Sequence, residues 1–285
     1  MENLRLRAET LVEALPYIRQ YHGRSVIVKF GGHAMSGEDL SSQVMRDIVL
    51  MNAVGMRPVV VHGGGPQVST MMSRLGVEAK FVDGLRVTDD QTLEVAEMVL
   101  AGTINKGIVG QIHEHGGRGV GLSGRDAGVI VAEPAANGTL GHVGEVTEIH
   151  PDLLLNLLDG GFIPVLCSIS EGPGGKALNV NADVVAGHMA KALAPASLIM
   201  LTDVPGVLAD PADPTSRISQ LSVSEARSML ASGAADKGMI PKLEACLTAL
   251  EGTGNRVHII DGRVPHSVIM ELLTDEGIGT LVVPD

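Results

Sequence analysis

The stretch Val26-Ile27-Val28-Lys29-Phe30-Gly31-Gly32 decides the fold. Three β-branched residues run into a lysine and a pair of glycines, the pattern of a buried strand that ends at an anion. A strand that stops at Gly-Gly can turn sharply and leave backbone N–H groups unpaired, and with a nearby ammonium these make a phosphate cradle. Pro58-Val59-Val60-Val61-His62-Gly63-Gly64-Gly65 repeats the design one helix-length downstream. Between them, residues 38–54 carry Leu40, Val44, Ile48, Met51 and Val54 on one helical face, with Gly55 as the stop. Strand, helix and strand of these lengths form a right-handed βαβ unit with parallel strands, so both glycine turns lie at the carboxyl edge where open α/β sheets bind ligands.

Upstream, Leu4, Ala8, Leu11, Val12, Leu15 and Ile18 fall at helical spacing, interrupted by Pro16, which predicts a kinked amphipathic helix over 4–21. Two roles stand open on pattern alone: packing on its own domain, or docking on another subunit. Downstream, the pattern predicts a helix over 66–75 and a hairpin around Asp83-Gly84. A helix N-capped by Thr88 and running to about residue 100 follows, with further helical texture over 104–113. Short strands at 120–122, 129–132 and 143–146 suggest a β-rich insertion over the crevice. A helix over 151–158, one buried strand over 162–169 and a helix opened by Asn179-Val180-Asn181-Ala182-Asp183 come next. Ala194-Pro195 marks the best boundary before a second βα set, with strands at 197–201 and 257–260, helices at 223–230, 239–250 and 265–273, and a terminal edge strand. The fold class is therefore α/β: a three-layer αβα sandwich around a central, mostly parallel open sheet. The expected division is an N-terminal helix over 1–24, one lobe over 25–194 and a second over 195–285.

The 285 residues suffice for a large core, and with 2% aromatic residues and no Trp it must be built from Val, Leu, Ile, Ala and Met. A net charge of -12 and the lack of a basic run argue against a nucleic-acid or anionic-membrane surface. Cys167 and Cys246 lack metal-ligand spacing and read as buried free thiols. No long apolar segment or secretory leader is evident, so a cytoplasmic location is expected.

Familiar nucleotide motifs are missing. The run ending Gly175-Lys176-Ala177 lacks the spacing and hydroxyl of a P-loop, and Gly119-Val120-Gly121-Leu122-Ser123-Gly124 does not lead into an apolar helix as a dinucleotide fingerprint would. His62-Gly63-Gly64-Gly65 resembles an esterase oxyanion turn, yet no G-x-S-x-G elbow supplies a nucleophile. His113-Glu114-His115 reads as an exposed helix end, without a further ligand to complete a metal shell.

Six motifs in order carry a resemblance: Lys29-Phe30-Gly31-Gly32, His62 to Gln67, Asp83-Gly84-Leu85-Arg86-Val87-Thr88, Asn179 to Asp183, Leu201-Thr202-Asp203-Val204-Pro205-Gly206-Val207, and Gly238-Met239-Ile240-Pro241-Lys242. The set resembles the amino acid kinase family, and within it the branch that phosphorylates N-acetyl-L-glutamate in arginine biosynthesis. The resemblance implies ATP as phosphoryl donor, with Mg2+ held mainly by the nucleotide phosphates. Lys29, Lys242, Asp183 and Gly32 would be catalytic. Gly64, Gly65, Arg86, Asn179 and Asn181 would bind the amino-acid substrate, Arg86 as a bidentate fork on its α-carboxylate. Gly31, Thr202, Asp203, Val204, Gly206 and Val207 would line the nucleotide site. The N-terminal helix and the run from Ile260 to Thr280 resemble the arginine-inhibited branch, whose members are hexamers, trimers of dimers. L-arginine would then bind at Tyr17, Tyr21, Glu271, Gly277 and Gly279. His33 stands where many relatives carry asparagine. Alternative readings are a kinase for a carrier-linked amino-adipate, a glutamate 5-kinase, or a non-catalytic arginine sensor.

Overall fold

Strand β1 (Ser25–Phe30) alternates its side chains across a central sheet, Val26, Val28 and Phe30 to one face and Ile27 and Lys29 to the other. This computed structural model describes residues 2–31, 38–82, 84–236 and 238–285. Gly32 and His33 therefore lie outside the described residues, as does Asp83. The other strands are β2 (Arg57–His62), β3 (Phe81–Val82), β4 (Leu85–Arg86), β5 (Gly119–Ser123), β6 (Ile130–Pro134), β7 (Gly144–Ile149), β8 (Ile163–Cys167), β9 (Ile169–Glu171), β10 (Ala177–Asn179), β11 (Ser197–Thr202), β12 (Gln220–Ser222), β13 (Val257–Asp261) and β14 (Thr280–Val283). The helices are α1 (Glu2–Glu13), α2 (Leu15–Tyr21), α3 (Glu38–Ala53), α4 (Gly65–Arg74), α5 (Asp90–Glu97), α6 (Asn105–Glu114), α7 (Asp152–Asp159), α8 (Ala182–Leu193), α9 (Val223–Ser232), α10 (Ile240–Leu250) and α11 (Ser267–Leu273).

The main sheet runs β12-β14-β13-β11-β1-β2-β8-β5 and is parallel except where β13 meets β14. One face packs against α3, α6 and α11 through Val44, Met45, Ile48, Ile108, Ile112 and Leu272; the other packs against α7, α8 and α10 through Leu154, Val185, Met189, Leu243 and Cys246. The result is the three-layer αβα sandwich, with each fully buried aliphatic side chain contributing about 1.5–3 kcal/mol. At Gly187 a Cβ would come within 2.6 Å of the Ala245 carbonyl oxygen, so glycine is what lets α8 and α10 approach so closely. A second sheet, β10-β9-β6-β7, and the hairpin β3-β4 lie beside the carboxyl edge.

Several sequence expectations are corrected. The cap of α5 is Asp89, whose carboxylate accepts from Thr92 N at 2.8 Å, and not Thr88. Thr88 is fully buried and its backbone is used elsewhere, donating to Leu140 O and accepting from His142 N. The helix beyond α5 widens into a π-helical turn, Met98–Ile104, before α6. The single strand expected over 162–169 divides at Ser168 into β8 and β9, which belong to different sheets. The terminal strand β14 is not at the edge: it lies between β13 and the short β12, which the sequence reading missed. The N-terminal helix divides at Ala14, and Leu4, Leu11 and Val12 of α1 are exposed, so that apolar stripe does not pack on its own chain.

Candidate active site

Lys29 Nζ sits 2.7 Å from Asp183 Oδ1, and Lys242 Nζ is 3.0 Å from Asp183 Oδ2. The three side chains come from β1, α8 and α10. All are largely buried, Asp183 being 7% exposed and the lysines 9% and 15%. Sequence places each of them. Lys29 points to the α8 face because it alternates with Val28 and Phe30. Asp183 falls in the first turn of α8, whose N-cap Asn181 accepts from Asp183 N at 2.7 Å. Lys242 enters from the first turn of α10, begun by Pro241. Burial alone raises the Asp183 carboxyl, but the Lys29 and Lys242 ammoniums together outweigh it and hold the group at about 2. One carboxylate thus holds two cations that would otherwise repel each other.

Above this triad a cleft is lined by Lys29, Gly31, Gly63 to Gly65, Arg86, Asn179 and Asn181, so the predicted substrate residues do converge. A Cβ at Gly64 would lie 2.2 Å from Ile104 Cδ1 and 2.8 Å from Leu100 Cδ2, so any side chain there would have to push these methyls aside. Arg86 stacks on Phe81, its carbon 4.7 Å from the ring centroid, and donates through Nη2 to Gly65 O at 2.9 Å and Ser69 Oγ at 2.7 Å. Either bidentate fork of a guanidinium uses an Nη2 hydrogen, and both are engaged here. A carboxylate gripped by the fork must displace Gly65 O or Ser69. Asn179 is held more loosely, its Nδ2 3.4 Å from Thr88 Oγ1. Ser168, Val143 and Leu100 also line the cleft and were missed by sequence reasoning. They lie at a strand break, a bridge and a π turn, which leave no motif.

A smaller hollow at the end of β11 is lined by Val204, Gly206, Val207, Met229, Asp236 and Met239. Gly206 has φ 145°, where a Cβ would fall 2.5 Å from Thr280 Oγ1, and Val207 N donates to that oxygen at 2.9 Å. Thr202 and Asp203 stand outside this lining, at the mouth of β11, linked by a 3.3 Å hydrogen bond.

The third predicted set meets at another corner. Tyr17 donates to Asp275, and Tyr21 Oη lies 3.4 Å from Ser197 Oγ, itself 3.4 Å from His258 Nε2. His258 Nδ1 is 2.7 Å from Glu271 Oε1, while Ile278 N and Gly279 N donate to Oε2 at 2.7 and 3.1 Å. Glu271 is thus satisfied internally. Burial raises its carboxyl, and these partners more than reverse that, His258 first. Gly277 packs against the same carboxylate, and sequence reasoning did not single out His258.

The remaining candidates serve the fold. His113 Nε2 is 3.1 Å from Gly119 O and His115 Nε2 is 2.9 Å from Ser42 Oγ. Cys167 and Cys246 are free and buried, and burial pushes the Cys167 thiol up to about 11.

A sequence profile of the amino acid kinase family matches residues 24–261. The chain belongs to the amino acid kinase family. It is 52% identical over 285 residues to an acetylglutamate kinase of Symbiobacterium thermophilum, covering 97% of each chain. It is 50% identical over 278 residues to one of Syntrophomonas wolfei, again with 97% of each covered. Among solved structures, N-acetylglutamate synthase from Neisseria gonorrhoeae, complexed with coenzyme A and N-acetyl-glutamate, superposes with a TM-score of 0.86 at 27% identity. The match covers 98% of this chain and 63% of that longer one. Carbamate kinase from Giardia lamblia bound to AMP-PNP shares the fold at TM-score 0.68 and 18% identity, with 92% and 99% covered.

Proposed function

We propose that the chain transfers the γ-phosphoryl group of ATP to the γ-carboxylate of N-acetyl-L-glutamate, giving N-acetyl-L-glutamyl 5-phosphate. The observation that carries this reading is the Lys29–Asp183–Lys242 bridge beneath a cleft lined by a triple-glycine turn and Arg86. The identity to acetylglutamate kinases over nearly the whole chain supports the choice of acid.

The nucleophile has a solution pKa of about 4.3 and is already ionised at neutral pH, so no general base is needed. A carboxylate oxygen forms the new bond to phosphorus as the bond to the β,γ-bridging oxygen breaks, and ADP departs with that electron pair. The chain's task is electrostatic. Lys29 and Lys242 offset the charge of the transferred and leaving oxygens, Asp183 holds the two ammoniums together against their mutual repulsion, and the Gly64 and Gly65 N–H groups face the anion. Arg86 and Asn179 orient the acid, and Asn181 orients Asp183. The hollow at Val204 to Val207 takes the adenine end, with Gly31 near the phosphates and Thr202 and Asp203 at its mouth. Among the described residues no three His, Cys, Asp or Glu side chains are grouped to hold a metal, so Mg2+ would arrive on the nucleotide phosphates, whose charge it neutralises.

The same reading has two lobes, 25–194 and 195–285, meeting along the β1–β11 pairing with the site between them. The exposed apolar stripe of α1 supports docking between subunits of a hexamer, a trimer of dimers. The corner of Tyr17, Tyr21, Glu271, Gly277 and Gly279 would take L-arginine as inhibitor if Glu271 released part of its internal shell. Removing residues 1–24 should then yield smaller assemblies insensitive to arginine; a hexamer that persists would reject this role. A cytoplasmic location fits a chain in which no described helix is long and apolar enough to cross a membrane.

Coupled ADP release across N-acetyl-L-glutamate, L-glutamate, carbamate and a carrier-linked amino-adipate tests the reading. Preference for N-acetyl-L-glutamate by at least about a hundredfold in kcat/KM is expected, the scale of a site with polar groups matched to its substrate. Preference for another acid, or arginine binding without turnover, would overturn it.

A further inference from the structure

A buried polar cluster beneath the glycine turn takes no part in the chemistry above. His62 ends β2 without exposed surface, and Asn105, equally buried, opens α6 next to it. Buried polar groups are costly unless hydrogen-bonded, and here the bonds form one chain. His62 Nδ1 lies 2.9 Å from Gly63 O, and Nε2 lies 3.1 Å from Asn105 Nδ2. A carbonyl oxygen only accepts, so Nδ1 carries the proton. Asn105 Nδ2 also faces Val165 O at 2.9 Å and Leu122 O at 3.2 Å, which fixes the amino end of the amide there; its two hydrogens are shared among these carbonyls and Nε2, and Nε2, facing a donor and no acceptor, is the ring nitrogen without a proton. The amide oxygen is held in turn by Lys106 Nζ at 3.1 Å. Asn105 reaches this position because Gly121 has no side chain; a Cβ there would lie 1.9 Å from Asn105 Oδ1. Burial, aided by Lys106, pushes the imidazole down to about 4, so it is neutral at neutral pH.

The consequence falls on Gly64. Gly63 N donates to Phe30 O at 3.1 Å while Gly63 O accepts from His62, so Gly63 is pinned from both ends. In a trans peptide the carbonyl and the following N–H point in opposite directions. With the Gly63 carbonyl drawn to His62, the Gly64 N–H turns away from it, and Gly64 lines the cleft. Among the described residues none accepts from that N–H.

We propose that His62 and Asn105 are positioning residues that lock the Gly63–Gly64 peptide so that the Gly64 N–H is preset for the anion in the cleft. The role of that N–H in catalysis rests on the phosphoryl-transfer reading; the locked tautomer does not. Two replacements separate the two ring nitrogens. In His62→Asn the amide nitrogen falls where Nδ1 was and can still donate to Gly63 O, whereas in His62→Gln it falls near Nε2 and cannot. His62→Gln is expected to lower kcat about a hundredfold, the scale of losing one preset oxyanion donor, with KM for ATP little changed and with His62→Asn keeping kcat within about tenfold of wild type. Imidazole 1H–15N correlation spectra of the wild-type protein provide a second readout that needs no variant. The neutral Nδ1–H tautomer at neutral pH is expected. Equal kcat losses in both variants of an active enzyme, or an Nε2–H or doubly protonated ring, would overturn the inference. An inactive wild type showing the Nδ1–H tautomer would instead count against the reading of the reaction.

Discussion

Replacing Asp183 by Asn keeps the shape of the side chain and removes the charge that two ammoniums share. At 2.7 and 3.0 Å from Lys29 and Lys242, the carboxylate is held at about 2, down from 3.8. That lowering corresponds to about 2 kcal/mol of stability carried by the ionised form. A depressed carboxylate contributes stability that is present above its unfolded value and lost as pH falls through its folded one, so the wild type should show a step between 3.8 and about 2. The Asn variant lacks the step and also leaves two buried cations facing each other. Breaking a buried ion pair on one side costs about 3–5 kcal/mol, so a fall in Tm of about 10 °C is expected at neutral pH. Scanning calorimetry with and without pyrophosphate provides the assay. The added anion should restore more of Tm in the variant than in the wild type, because it supplies the missing counter-charge. A variant that melts within about 2 °C of wild type, with the same response to pyrophosphate, would refute the view that Asp183 holds the lysines together.

Arg86→Ala should raise KM for the acid substrate about a hundredfold with a smaller effect on kcat, and Arg86→Lys should not restore it, because an ammonium has no planar fork; steady-state kinetics of the three proteins decide. Gly187→Ala places a Cβ 2.6 Å from the Ala245 carbonyl oxygen, backbone that cannot swing aside, and should cost about 1–3 kcal/mol in urea unfolding. Unchanged stability would mean that α8 and α10 do not pack so closely. Asp47 is buried and its carboxyl is raised above 3.8, chiefly by burial, despite His266 at 2.6 Å. Its contribution is therefore present below 3.8 and lost as pH rises through the folded value, so Asp47→Asn should match or exceed wild type by up to about 1 kcal/mol at neutral pH. A loss of about 3 kcal/mol in urea titrations would show instead that the pair is net stabilising.

What was legible in the sequence were features that repeat or punctuate. The βαβ start, the glycine turn at Gly63 to Gly65 and the alternation that aims Lys29 into the site follow from residue order. Asp183 and Lys242 were legible as partners through the ordered motif set and not through any local pattern, since each in isolation is an ordinary helix residue. The failures have local causes. Asp89 competed with Thr88 for the cap, and the backbone bridge at Thr88 that settles the matter joins residues distant in sequence. The π turn at Met98–Ile104 has no residue signature, yet it is followed at once by Asn105 and brings Leu100 and Ile104 against Gly64. His62 enters the sequence reading only as part of motifs, with no role of its own, although a histidine ending a run of buried valines already signals a polar group that must find partners. For Glu271, which the resemblance assigns to a ligand, the part not legible in the sequence is its internal shell: its oxygens are met by His258 and the Ile278 and Gly279 N–H groups through a loop closure that charge patterning does not reveal.

The most direct test of the central claim is to trap the product. Incubation with ATP, Mg2+, N-acetyl-L-glutamate and hydroxylamine should yield the γ-hydroxamate in step with ADP, and Lys29→Ala should suppress both by about a thousandfold, the upper scale for losing a preset charge partner. ADP release without hydroxamate, or near-normal hydroxamate formation by Lys29→Ala, would contradict it.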